Sequence, residues 1–501
     1  MLAQVSTATI IGVDAVPVRV EVDVAFGLPG LTIVGLAGGA VLEARERVRS
    51  AIRNSGFEVP ARRITVNLAP ADLPKEGTAY DLAIAVGILA ASGQLPRAAS
   101  LAGMALIGEL ALDGGLRRVP GVLALVDAAR WAGLGEALVA AEAAAEAAVV
   151  RGIQVVGAAT LGEVIGHLSA TARLATATAA PIPEARPADA PDLAAVIGQS
   201  VARRALEIAV AGRHHCFLEG PPGTGKTLLL RAARGLLPQL DDDEAGEVSR
   251  IYSVAGLLDR RAPVRRERPV REPHHTVSPQ ALVGGGPRVR PGEASLAHHG
   301  LLVLDEVRHF RPDALDALRQ PLESGSVSIA RVDGAVTLPA RFQLLAAANA
   351  CPCGWRGSER HACTCDEAAA RRYATRFSGP LRDRIDLWVR MEEPARVARE
   401  TDGREPTHAV AARIGAARAR QVDRQGCLNA DVPPQDLLTD AWLGSAGART
   451  LVREGQRLAL SPRRLHRAAR VARTIADLER AERVGRGHVM EALFYRPEAG
   501  R

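Results

Sequence analysis

The chain has 501 residues, 47% hydrophobic and 24% charged, the proportions of a folded globular protein of about three domains. Disordered, collagenous and small disulfide-stapled chains are excluded, and aromatic residues at 3% leave few rings for stacking bases. Lysine plus arginine outnumber aspartate plus glutamate by 63 to 56, a net +7 that suits a nucleic-acid partner without requiring one.

In chain order, VPVRVEVDVAF (16–26) alternates like a half-buried strand, and 40–56 places Val41, Ala44, Val48 and Ile52 on one helical face before Gly56. A strand is expected over 62–70, a buried helix over 80–93, and further helices over 122–134 and 136–150. Residues 171–192 hold four prolines and no apolar period, and read as a linker. A second α/β segment follows over 193–395, then an arginine-rich helical region over 396–501. The longest apolar run, Leu82 to Ala91, is about half of the ~20 residues that span a bilayer. The opening residues lack a basic segment and a cleavage site. Six cysteines in so long a chain suit free thiols or a metal. A cytoplasmic protein without a membrane partner is expected.

Lysine occurs only at positions 75 and 226. The second lies in GPPGTGKT (220–227), which fills every fixed position of the phosphate-binding loop G-x-x-x-x-G-K-[ST]. The run CFLE (216–219) brings a strand to a sharp turn. Gly220, Pro221, Pro222, Gly223, Thr224 and Gly225 then curl backbone N–H groups toward phosphate oxygens. A helix starting near Lys226 adds its positive end, Lys226 a compact charge for the β- and γ-phosphates, and Thr227 a hydroxyl for Mg²⁺. GLLVLDE (300–306) supplies the second strand such a site needs. Asp305 is expected to hold Mg²⁺ through its water shell, and Glu306 to polarise the attacking water. RFQLLAAANA (341–350) is a third buried strand, ending at Asn349, whose amide can orient that water. Lys75 reads as a solvated loop charge.

These segments together resemble an AAA+ ATPase of the magnesium-chelatase-like branch, closest in wording to the ComM/YifB group. The resemblance runs through GLPGLTIVGL (27–36), 47–77, 80–93, PHHTVSPQALVGGG (273–286), RPGEASLAHHGLLVLDE (290–306), LRQPLESG (318–325), CPCG (351–354), SGPLRDRIDL (378–387) and RVARTIADL (470–478). It implies a parallel-sheet P-loop core flanked by helices, with a C-terminal helical lid. It also implies a homo-hexameric ring with ATP sites between subunits and work on DNA, as in helicase or branch-migration activity during natural transformation. A chelatase-type motor that remodels a protein partner is the alternative. By the same resemblance Arg384 matches the arginine finger, with Arg382 as its rival, and Arg463 matches the sensor arginine of the lid. Arg308 and His309 stand where the family usually has proline and an acid.

Residues 1–170 are similar to the catalytic fold of Lon protease over 73–85 and 108–123. The serine and lysine of that site fall on Ala79 and Leu123, which implies a protease fold without protease activity.

Cys351, Cys353, Cys363 and Cys365 offer four thiols for a tetrahedral Zn²⁺, though the C-x-C spacing is tighter than the usual knuckle. A reduced, unliganded loop is equally compatible. Arg260, Arg261, Arg265, Arg266, Arg268 and Arg271, with Arg288 and Arg290, form basic stretches that suit either a pore tracking a phosphate backbone or a solvated loop. Arg463, Arg467 and Arg470 share a helical face that is either functional or simply exposed. The pair His274 and His275 is expected to be structural.

Overall fold

In the computed structural model the described residues are 1–96, 101–179, 190–259, 261–286, 289–331, 334–393 and 405–496. The centre of the expected linker, Arg260, Arg288 and the start of the expected lid at 396–404 lie outside them.

The first unit is a mixed sheet. Strand β1 (Leu2–Ile11) pairs antiparallel with β2 (Asp14–Ala25) across a turn in which Gly12 takes φ +68°. With β3 (Gly30–Val34), β4 (Arg63–Ala69), β5 (Met104–Ile107), β6 (Glu136–Ala140) and β7 (Gln154–Ala158) the sheet order is β3-β4-β2-β1-β5-β6-β7. The alternation read in 16–26 is obeyed: Val18, Val20, Val22 and Val24 are buried, and the polar residues between them are not. Helix α1 (Gly39–Asn54) turns the predicted face inward, and α2 (Asp81–Ala91) is buried all round.

Two expectations fail in this unit. Residues 136–150 are not one helix: 136–140 form β6, inside the sheet between β5 and β7, and only Ala144–Ala147 is α-helical. Alanine-rich sequence suits either state, and two parallel neighbours decide it. Lys75 is not a solvated charge. It is fully buried, and its Nζ donates to the Pro70 carbonyl. Burial lowers its pKa.

The second unit is a wholly parallel sheet. Helix α3 (Val122–Trp131) belongs to the first unit; in the second, α4 (Ser200–Gly212) precedes β8 (Cys216–Glu219), which is followed by α5 (Lys226–Ala232) and α6 (Asp242–Val254). With β9 (Val270–Arg271), β10 (Leu301–Leu304), β11 (Gln343–Ala348) and β12 (Leu387–Arg390) the order is β9-β10-β11-β8-β12. Strand β11 sits between β8 and β10, in register Glu219↔Ala348 and Leu304↔Ala346. All three chains therefore leave the sheet at one carboxyl edge, where parallel sheets hold ligands. Strands β10 and β11 are buried throughout, as buried parallel strands require.

Helices α8 (Thr407–Gln425), α9 (Ser445–Arg457), α10 (Pro462–Leu478) and α11 (Arg486–Phe494) follow, and α10 packs on α4. Ile414, Val471 and Ile475 share one core with Leu206, Ile208 and Leu218. The first unit meets the second through α3 and α6, where Gly121 N donates to Ser253 O at 2.9 Å. Glu146 accepts from Ser253 Oγ and Arg118 Nη2, each at 2.6 Å. Leu123 is buried among Val248, Ile251 and other residues of the second core. No helix among the described residues is long and apolar enough to cross a membrane.

Candidate nucleotide site

The loop after β8 is shaped by three glycines for two different reasons. Gly223 (φ +78°) and Gly225 (φ +88°) lie in the left-handed region and face open space, so they supply curvature and leave room beside the backbone. Gly220 is needed for packing, since a Cβ there would meet the Met391 carbonyl at 2.5 Å. Thr224 closes the turn by donating to the Pro221 carbonyl at 3.0 Å. Lys226 opens α5, is 9% exposed, and donates to the Gly220 and Pro221 carbonyls at 2.8 and 2.7 Å. Burial lowers its pKa, and Asp305, Glu306 and Glu219 act against that.

Across the sheet edge Thr227 Oγ1 donates to Asp305 Oδ2 at 2.6 Å. A hydroxyl and a carboxylate held together are hard oxygen donors of the kind Mg²⁺ takes while keeping several waters. The donor set therefore fits that ion, and the open, left-handed glycine turn fits a phosphate chain. Glu306 follows at φ +50°, a left-handed value uncommon for a residue with a Cβ. Its N–H is tied to Asp305 Oδ1 at 2.8 Å and its side chain is exposed. The strained backbone turns the carboxylate out of the sheet while Asp305 stays with Thr227. Asn349 directly follows β11, the strand that lies between β8 and β10.

Sequence reasoning left Arg308 aside, and the structure puts it under the site. It is 3% exposed and pairs with Glu219 Oε1 at 2.7 Å. It also donates to the Asn349 carbonyl, and its Cζ lies 5.6 and 5.5 Å from the Phe217 and Tyr373 ring centres. One guanidinium thus joins the ends of β8, β10 and β11. The available signal was an acid just before the glycine loop and an arginine two residues after Glu306.

Arg384 and Arg463 meet each other's partner rather than the glycine loop. Both donate to the Glu323 carboxylate, Arg463 at 2.7 Å, and Arg384 is 9% exposed. Arg382 lies with Cζ 5.1 Å from the Trp388 ring centre. The shared face of Arg463, Arg467 and Arg470 is not simply exposed. Arg467 is buried and bonds the Arg384 carbonyl and Asp386 at 2.6 and 2.7 Å, and Arg470 donates to the Val432 carbonyl.

The arginine-rich stretch is mostly committed to its own chain. Arg266 pairs with Asp242, Arg268 with Glu244 and Arg271 with Glu293, each at 2.6 Å, and Arg265 lies over the Tyr252 ring. Neither a bare solvated loop nor a free pore lining describes it.

The four predicted cysteines do come together, with every Sγ within 4.8 Å of the others. Glu247, His298 and His299 also cluster. However, His298 Nδ1 accepts the Arg341 N–H, so its Nε2 carries the proton and donates to Glu247 at 2.8 Å. That ring has no free lone pair for a metal. The His274 and His275 rings lie tilted with centres 4.0 Å apart, and His274 bonds Thr276.

Family models described as "Magnesium chelatase, subunit ChlI", "Subunit ChlI of Mg-chelatase" and "Magnesium chelatase, subunit ChlI C-terminal" match residues 192–398, 20–143 and 404–496. The chain is similar to protein YifB of Salmonella typhimurium, 44% identical over 499 residues, covering 99% of this chain and 97% of that one. It is similar also to competence protein ComM of Haemophilus influenzae, 42% identical over 503 residues with 99% and 97% covered. A shorter likeness, 28% over 193 residues, reaches the magnesium-chelatase 67 kDa subunit of Heliobacterium mobile, covering 33% and 29%.

Proposed function

The chain belongs to the ComM/YifB family of magnesium-chelatase-like AAA+ ATPases and hydrolyses ATP, and from that premise we propose that it is a homo-hexameric motor that spends ATP on DNA. The observation that carries the assignment of the site is the 2.6 Å contact between Thr227 and Asp305, which joins the glycine loop to the acid strand. Gly220 to Gly225 enclose the phosphates. Lys226 exchanges its two carbonyl partners for β- and γ-oxygens, a gain because phosphate carries charge and a carbonyl does not. Thr227 and Asp305 would hold Mg²⁺, which would supply charge neutralisation at the phosphates. Glu306 takes the proton of the attacking water as general base, and Asn349 orients that water. Arg384 of a neighbouring subunit stabilises the charge of the transition state, and Arg463 reports nucleotide state to the C-terminal helices. Both must leave Glu323 to do so. Domain limits follow the same reading: 1–170, a linker over 171–192, the ATPase core over 193–395 and the lid over 396–501. The first unit is a Lon-protease-like fold without its nucleophile, since Ala79 has no hydroxyl and Leu123 packs in the core. The reading includes Zn²⁺, held by Cys351, Cys353, Cys363 and Cys365.

The DNA assignment rests on the competence named for the ComM relative and on the +7 charge. The internal pairing of Arg266, Arg268 and Arg271 favours the second reading, a motor that remodels a protein partner. ATPase rates with and without single-stranded and branched DNA, across a salt series, separate the two. Stimulation that fades as salt rises supports DNA, and a rate indifferent to DNA supports the protein partner.

A further inference from the structure

The four-cysteine loop is built against the nucleotide site. Cys351 Sγ lies 3.4 Å from Cys353 Sγ and 3.6 Å from Cys363 Sγ, and Cys353 Sγ lies 3.6 Å from Cys363 Sγ. A disulfide would need ~2.05 Å. A tetrahedron with Zn–S of ~2.3 Å has sulfur edges of about 3.8 Å. Backbone N–H groups already point at two of the sulfurs, from Cys353 to Cys365 and from Arg356 to Cys351, at 3.4 and 3.3 Å. Residues 351–366 contain no helix or strand; besides the sulfurs the segment is held by side-chain contacts, Ser358 Oγ to Glu393 at 2.8 Å, Arg356 to Glu367 at 3.1 Å and the Trp355 ring 4.2 Å from that of His361.

Each cysteine pair leads to one wall of the site. The first pair begins two residues after Asn349. In its turn Gly354 takes φ +87°, and a Cβ there would lie 2.8 Å from Pro222 Cγ, in the glycine loop, and 3.7 Å from Asn349 Nδ2. The second pair is followed directly by Asp366, which caps α7 (Glu367–Thr375). From α7, Tyr373 Oη bonds His309 Nε2 at 3.2 Å, on the turn that follows Glu306.

Resting on the zinc reading above, we propose that the metal at Cys351, Cys353, Cys363 and Cys365 fixes Asn349 and the Glu306 turn relative to each other, so that its occupancy governs the hydrolytic step. Nucleotide capture depends on it less, because the phosphate contacts come from the glycine loop between β8 and α5, which Gly354 of the cysteine segment approaches at Pro222. The cysteines act through other residues and are positioning groups.

The test uses the full chain. Elemental analysis should find about one zinc per chain, and Co²⁺ replacement should give the thiolate-to-metal absorption of a four-sulfur tetrahedron. Stripping the zinc with a chelator, or the double variant Cys363→Ser/Cys365→Ser, should lower kcat by ~10-fold or more. The affinity for a fluorescent ATP analogue should stay within about 3-fold, a difference under 1 kcal/mol. Zinc returned to the stripped wild type should restore kcat, and to the variant should not. Far less than one zinc per chain sinks the zinc reading and this proposal with it. One zinc per chain with kcat unchanged after removal keeps the zinc and overturns the coupling. Equal loss of kcat, affinity and cooperative melting also overturns it, since the metal would then be a general staple.

Discussion

The two lysines of the chain sit in two regions with the same local arrangement and opposite surroundings. Each has a buried ammonium that donates to backbone carbonyls of its own loop, Pro70 for Lys75, Gly220 and Pro221 for Lys226. Lys75 is fully buried, and its own backbone is tied to Leu36 and Gly38. Lys226 faces left-handed glycines with open space beside them and the Thr227–Asp305 pair across the edge. A buried cation is therefore not a site by itself. It becomes one where the backbone is kept open and acids are delivered from a second strand. Groups on the open edge should register in binding and turnover, and sealed groups in stability alone.

The largest effect is expected on the open edge. Glu306→Gln should cut ATP turnover by ~10²–10⁴-fold with MgATP affinity retained, measured by steady-state phosphate release and equilibrium binding. Wild-type turnover in that variant would remove Glu306 as the base. Lys226→Ala should weaken ATP binding by about 2 kcal/mol or more, roughly 30-fold, with little change in melting temperature.

Sealed groups should show the reverse pattern. His214 is fully buried, bonds Thr474 Oγ1 at 2.7 Å, and is pushed down to about 4 by burial. Its folded pKa lies below the unfolded value near 6.5, so the unfolded chain takes up the proton first as pH falls. Stability from keeping it neutral is complete above pH ~6.5 and is lost between there and ~4, by about 2–3 kcal/mol. Urea melts across that interval should slope less steeply in His214→Gln than in the wild type, the remaining slope coming from His215, which burial also holds at about 4; equal slopes would contradict it. The smallest effect belongs to Lys75→Met. Replacing a buried charge by an apolar chain of similar length should move stability by about 1 kcal/mol or less and leave ATP hydrolysis unchanged. A loss of ATPase activity there would erase the contrast between the regions.

The open edge was legible in the sequence because its chemistry is local. The spacing of GPPGTGKT, the apolar run before Asp305 and Glu306, and the strand ending at Asn349 each stand in a short segment, and parallel pairing only assembles them. What escaped was set by distant partners. Residues 136–140 are a strand because β5 and β7 flank them. Lys75 is buried in a loop that pairs with Leu36 and Gly38, nearly 40 residues earlier. The partners of Arg308, Arg463 and Arg467, which are Glu219, Glu323 and Asp386, lie 89, 140 and 81 residues away along the chain and cannot be read from the arginines themselves. Charge type is visible in a sequence; the partner that neutralises it is not.

The central claim is that the glycine loop and the acid strand serve one magnesium nucleotide, and a double-mutant cycle on MgATP affinity tests it most directly. Thr227→Ala and Asp305→Asn should each weaken binding, and the double variant should be little worse than either, a coupling of about 0.5–3 kcal/mol. Losses that add within ~0.5 kcal/mol, or wild-type affinity in Asp305→Asn, would mean that the two sides of the edge do not share a ligand.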